Sequence, residues 1–224
     1  MSNYERMKKP LLTLLLLVVL PGVAIAQNAL DNGEFATDLA PWSDFSTGTN
    51  GTLEWSHFDV GGDPASGSLL VTNTSTEPLA HGNGMTQGVP VTGGKAYQLV
   101  IRAYVPAGQP PIGLATAELQ FWKSTVAGEP CGSHSNPIYW WLASHHLGNR
   151  ANAVGRWETF TVTAVAPPDA TCGFVDLETY KPNNQVEPDG RPFQAYFDDV
   201  ELNEMLFVDG FETGSLAKWD QLPS

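Results

Sequence analysis

The chain has 224 residues, 42% of them apolar, and 24 acidic against 11 basic side chains leave a net charge of −13. That length suits one ordinary domain or one large all-β domain with a sizeable core, and the acidic surface repels nucleic acid and anionic lipid. The two cysteines, Cys131 and Cys172, lack the CxxC spacing or neighbouring base that metal binding or thiol chemistry asks for, so one disulfide is their simplest use in an oxidising compartment.

The N-terminus sets Arg6, Lys8 and Lys9 before the apolar run Leu11 to Leu20, then Pro21, Gly22 and the small-x-small ending Ala24-Ile25-Ala26. This order of a positive region, an apolar region and a cleavage site predicts a secretory signal peptide over residues 1–26. The apolar run is about half of the roughly 20 residues that cross a bilayer, and no later stretch is long and apolar enough to span. The exported part then begins near Gln27, with 8 basic against 23 acidic residues, and its carboxylates suit solubility or calcium.

Past the leader no apolar repeat of 3.6 residues is sustained; short alternating or β-branched runs recur instead, broken by Gly, Pro, Asn and Asp. The predicted strands are Leu53 to Phe58, Ser68 to Thr72, Met85 to Val91, Ala96 to Val105, Ala115 to Trp122, Trp157 to Ala166, Gly173 to Tyr180 and Gln194 to Leu202. So many short strands with punctuating turns predict an all-β fold of two antiparallel sheets, a β-sandwich or a jelly roll. Alternation assigns Tyr97, Leu99, Ile101 and Ala103 to one face and Gln98, Arg102 and Tyr104 to the other. It turns Ala117, Leu119 and Phe121 inward and Glu118, Gln120 and Trp122 outward, and it sends Asp176, Glu178 and Tyr180 to the side opposite Val175 and Leu177. In the last strand it puts Tyr196, Asp198, Val200 and Leu202 together.

Two regions escape the pattern. Residues Val126 to Gly155 read as a long insertion holding Cys131, three histidines and the run Tyr139-Trp140-Trp141, too aromatic for a solvated linker. Three consecutive aromatics cannot all point one way, so at least one of them belongs to the core. After a break near Asn203 to Leu206, residues 204–224 form a tail whose Val208-Asp209-Gly210-Phe211 and Trp219 echo Leu30 to Phe35 and Trp42. The tail's Phe and Trp suit docking on the domain or a sorting element that attaches the protein to the cell surface.

Five motifs occur in order: Asn32-Gly33-Glu34-Phe35 with Trp42; Asp63 to Thr72; Val91-Thr92-Gly93-Gly94-Lys95-Ala96-Tyr97; Gly155-Arg156-Trp157-Glu158; and Tyr196-Phe197-Asp198-Asp199-Val200-Glu201-Leu202. Together they resemble carbohydrate-binding modules of families four, nine and twenty-two, jelly rolls of the galactose-binding type, over about Ala29 to Asn203. The resemblance implies a structural calcium ion held by Asp63, the neighbourhood of Ser66, and Asp198. The chain departs from that pattern at Ala36, where the family carries an acidic residue.

It also implies a site for a polysaccharide or glycan. Sugar rings pack their C–H faces on aromatics, and their hydroxyls need paired donors and acceptors. The outward residues Gln98, Arg102, Tyr104, Glu118, Gln120 and Trp122 meet those needs, with Tyr139, Trp140 and Trp141 as a wall. Trp122 and one of Trp140 or Trp141 are expected to stack, and Arg102 and Gln120 to hydrogen-bond the sugar, without catalysis.

Two other classes compete. A glycosidase needs two carboxyls about 5 to 9 Å apart, and Glu118 with Glu178 or Asp176 would supply them if they are neighbours. A surface protein with a mainly structural sandwich would rely on the tail. His134, His145 and His146 match no zinc spacing, and there is no Gly-x-Ser-x-Gly elbow.

Overall fold

The computed structural model describes residues 28–46, 51–74, 81–109, 113–126, 128, 130–132, 139–146, 155–181 and 191–205. The predicted leader and nearly all of the predicted tail lie outside them. The strands are β1 (Ser43–Asp44), β2 (Gly51–Ser56), β3 (Ser68–Asn73), β4 (His81–Pro90), β5 (Ala96–Tyr104), β6 (Leu114–Ser124), β7 (Tyr139–His146), β8 (Trp157–Val165), β9 (Cys172–Lys181) and β10 (Phe193–Met205). They form two five-stranded antiparallel sheets, ordered β1-β4-β9-β6-β7 and β2-β3-β10-β5-β8. The predicted all-β sandwich is the observed one.

The core reflects the alternation. Leu99 and Ile101 of β5 and Phe197 and Leu202 of β10 meet Leu119 and Phe121 of β6 and Val175 and Leu177 of β9, all fully or almost fully buried. Burying side chains of this size stabilises by about 1.5–3 kcal/mol each. Phe35 and Trp42, from the segment before β1, join the same core with ring centroids 5.5 Å apart.

Two predictions are corrected. The stretch Val126 to Gly155 is not all insertion: Tyr139–His146 is a strand on the edge of the first sheet, paired with β6. Its run of aromatics and histidines lacks the simple alternation that marks a strand, and a register shift opposite Phe121 and Trp122 breaks what period there is.

The face assignment of the last strand also changes midway. Between Asp198 and Glu201 the β10–β5 register gains one residue, and Asp199 adopts φ 46°. This bulge swaps the faces of the residues beyond it. Tyr196 therefore lies on the outer side, whereas Val200 and Leu202 are buried in the core.

The bulge is clasped by the N-terminal segment. The Val200 N–H donates to the Gly33 carbonyl at 3.0 Å. Asn28 Nδ2 donates to the Val200 carbonyl at 2.9 Å, and Asn28 Oδ1 accepts the Leu202 N–H at 2.9 Å. Gly33 approaches so closely that a Cβ there would lie 2.0 Å from the Val200 oxygen. Gly33→Ala is therefore expected to cost about 2 kcal/mol in urea unfolding, the scale of a backbone clash at a tight contact; an unchanged midpoint would remove the clasp.

Candidate functional site

The outer face of the first sheet is a set of cross-strand rows. One row runs Thr86 (β4), Asp176 (β9), Glu118 (β6) and His146 (β7). The next holds Gly88, Phe174, Gln120 and Ser144, and the third holds Pro90, Cys172, Trp122 and Trp141. On the other side of the carboxyl row lie Gly84, Glu178 and Thr116. The sequence expectation that Asp176 and Glu178 share a face opposite Val175 and Leu177 holds, and Glu118 joins them from the neighbouring strand.

The aromatic end is built on the disulfide. Cys131 is bonded to Cys172, as expected from the lone pair, with Cα atoms 5.6 Å apart. Cys172 and Phe174 form a small buried cluster against which Trp122 and Cys131 pack. Trp122 meets Phe174 edge-on, with centroids 6.1 Å apart and planes at 80°. Gly88 permits this arrangement, because a Cβ there would meet the Phe174 ring at 2.5 Å and the Cys131 carbonyl at 2.7 Å. Beside β4 a cavity of about 350 Å³ opens between the N-terminal segment, at Asp31 and Pro41, and the disulfide-tied backbone at Cys131 and Gly132.

Hydrogen bonds join the aromatic and acidic rows. The Trp122 indole N–H donates to Gln120 Oε1 at 2.8 Å. Gln120 Nε2 donates to Asp176 Oδ2 at 2.7 Å and to Glu118 Oε2 at 3.1 Å. Asp176 is only 3% exposed. Burial pushes its carboxyl up to about 7; the Thr86 hydroxyl opposes the rise and the Glu118 charge adds to it. Burial also lifts Glu178 to about 7, with Asp176 and Glu118 contributing.

The predicted sugar contacts divide between two faces. Glu118, Gln120, Trp122 and Trp141 share the first sheet's outer face, and Trp141 is 56% exposed. Tyr139 and Trp140 stand at register positions opposite Ser124 and Lys123. Gln98, Arg102 and Tyr104 lie on the outer face of the second sheet, across the core, so the six outward residues of β5 and β6 are not brought together. There Arg102 Nε pairs with Asp199 Oδ2 at 3.5 Å. Tyr104 belongs to a ring cluster in which Phe58 stacks on Trp157 at 5.4 Å and meets Tyr104 at 4.7 Å and Tyr196 at 4.9 Å. Sequence reasoning missed Phe58 and Trp157 as partners of Tyr104, because the β2–β3 connection that carries Phe58 reads as the end of a strand.

The residues implied for calcium are already engaged. Asp198, fully buried, accepts the Val60 N–H at 3.0 Å and the Asp199 N–H at 2.8 Å, and burial pushes it up to about 7 against those donors. Asp63 accepts the Ala65 N–H at 2.8 Å, and the Ser66 hydroxyl donates to the Glu34 carbonyl at 3.4 Å. Among the described residues no three His, Cys, Asp or Glu side chains gather as metal ligands. A hard cation takes six to eight oxygens, of which the side chains of Asp63, Ser66 and Asp198 would supply only part.

Known structures share this architecture. No protein-family model matches the chain, and no curated protein matches it in sequence. The enzymatically active domain of tailspike protein 4 of bacteriophage CBA120 matches 80% of this chain at 14% identity with a TM-score of 0.53; the chain spans 21% of that protein. A family 16 carbohydrate-binding module matches 78% of this chain and 99% of its own at 15% identity, with a TM-score of 0.50. A family 4 module matches 78% of the chain and 99% of its own at 16% identity and a TM-score of 0.46. The fold shared with the tailspike domain and the family 16 module is a jelly-roll β-sandwich.

The raised carboxyls set a pH dependence. A carboxyl whose folded value lies above its unfolded one adds stability below the unfolded value, and that stability is lost as pH rises through the folded value. For Asp176 and Glu178 the window runs from about 4 to about 7. Urea unfolding from pH 5 to pH 8 should show stability falling, and Asp176→Asn should flatten the fall by on the order of 2 kcal/mol. An unchanged slope would mean that Asp176 is ionised throughout.

Proposed function

We propose that this chain is a secreted, non-catalytic protein that binds a polysaccharide on the outer face of its first sheet. The observation that carries the reading is the arrangement of Trp122 and exposed Trp141 on the same sheet face as the carboxyls of Glu118, Asp176 and Glu178. An aromatic surface next to hydrogen-bonding groups is what a sugar ring with polar edges requires. The fold shared with a family 16 carbohydrate-binding module and the Cys131–Cys172 disulfide support glycan binding outside the cytoplasm.

One observation favours a hydrolase as the second reading: Glu118 and Asp176 are cross-strand neighbours that share one amide donor. The binding reading is preferred because a general acid must reach the bond it protonates, and Asp176 is buried beneath its neighbours. The resemblance alone carries the calcium reading at Asp63, Ser66 and Asp198, and the residues of the tail alone motivate attachment through residues 204–224.

Affinity electrophoresis of the full chain against soluble xylan, hydroxyethyl cellulose and mixed-linkage β-glucan is expected to show retardation on at least one polymer. Trp122→Ala should weaken it roughly tenfold, the scale of one lost aromatic contact. No retardation on any polymer would overturn the reading, and release of reducing ends that is lost in Glu118→Gln would turn it to the hydrolase. For calcium, a chelator that lowers the melting temperature of the wild type but not of Asp198→Asn would support the ion; no change would remove it. Deleting residues 206–224 should alter retention on cells without altering retardation if the tail attaches the protein.

A further inference from the structure

Gln120 is a candidate sugar contact by sequence, but its amide is spent inside the protein. Its oxygen accepts the Trp122 indole N–H at 2.8 Å, and its nitrogen donates to Asp176 at 2.7 Å and to Glu118 at 3.1 Å. A primary amide has two N–H donors, so these contacts use both. Turning the amide over would aim its oxygen at two carboxylates and its nitrogen at another donor. The acidic pair therefore selects the orientation, and that orientation presents an acceptor to the indole. Phe174, edge-on to the ring at 6.1 Å, supports the body of Trp122 while Gln120 ties its N–H end.

We propose that Gln120 is a positioning residue that passes the charge state of Asp176 to Trp122, holding the ring in place when that carboxyl is ionised and loosening it when it takes up a proton. The benefit to ligand binding rests on the glycan reading above, whereas the coupling itself does not. Charge-assisted hydrogen bonds are roughly twice as strong as neutral ones. A protonated carboxyl beside Gln120 is also a new donor that competes with the indole for Oε1. Burial places Asp176 near 7, so the change falls around neutral pH.

The neighbouring strands supply the remaining charged groups. Glu178 of β9 adds negative charge next to Asp176, β4 contributes the neutral Thr86, and β7 sets His146 at the register position opposite Glu118.

The test is the indole N–H cross-peak of Trp122 in the full chain labelled with nitrogen-15 tryptophan, without ligand, titrated from pH 8 to pH 5 and assigned by its loss in Trp122→Phe. The wild-type peak should sit downfield at pH 8 and move toward the position of a solvated indole with a midpoint near 7. Gln120→Leu should place it at the solvated position at every pH and weaken retardation about tenfold on whichever polymer retards the wild type. Gln120→Glu keeps an acceptor but replaces the donor with a third acid, so its peak should approach the wild-type position only on acidification. That reversed sign is not expected of a residue that merely fills space, and it stands even if Gln120→Leu fails to fold. A peak insensitive to pH in the wild type and in Gln120→Glu would overturn the proposal. Absence of retardation for the wild type would remove the glycan reading while leaving the cross-peak to decide the role of Gln120.

Discussion

A strand in this sandwich can show only one of its two faces to solvent, because the other is committed to the core that both sheets share. Leu99 and Ile101 of β5 meet that core from one side and Leu119 and Phe121 of β6 from the other, so the outward residues of the two strands point in opposite directions. This separates Gln98, Arg102 and Tyr104 from Glu118, Gln120 and Trp122. Each outer face has its own chemistry as a result: an aromatic cluster under Phe58 beside the Arg102–Asp199 pair on one, and a carboxyl row ending in tryptophans on the other.

Both faces acquire their chemistry from the segments that cover them. On the first sheet the disulfide pins the backbone at Cys131 over Gly88 and Phe174, which buries a ring on the outward side of β9 and gives Trp122 something to lean on. On the second sheet the Val60 N–H and the ring of Phe58 close over Asp198 and Tyr196. Asp176 and Asp198 are outward residues of strands and yet almost wholly buried, and burial is the leading cause of their raised carboxyls. A carboxyl on an outer face is ordinarily solvated, and it is the covering segments that make these two exceptions.

Much of the fold is legible in the residues themselves. The alternation in β5 and β6 assigns every inward residue correctly from Tyr97 to Ala103 and from Ala117 to Phe121, since burial of one face imposes period two. It fails at Asp199, where the left-handed backbone inserts a residue and turns Val200 and Leu202 into the core. It also fails for Tyr139–His146, whose composition is suited to a wall or to a strand and whose register shift hides the period. Of the candidate site, Glu118, Gln120, Trp122 and Trp141 are recognisable as outward or aromatic, but the sequence assigns Gln120 to the sugar rather than to Trp122. Side chains two apart on a strand share a face, and only a resolved rotamer tells which of them bond to each other.

By itself the sequence determined the class of fold, the inward half of most strands and the pairing of its two cysteines, because these depend on local period and on there being no other partner. The tertiary structure alone decided which outward residues are neighbours. Glu118 meets Asp176 across a strand pair separated by 58 positions in the chain, and Tyr104 meets Phe58 across a sheet and a loop. Contacts of that kind are set by sheet order and by the segments that fold back over the faces, neither of which leaves a periodic trace in the chain.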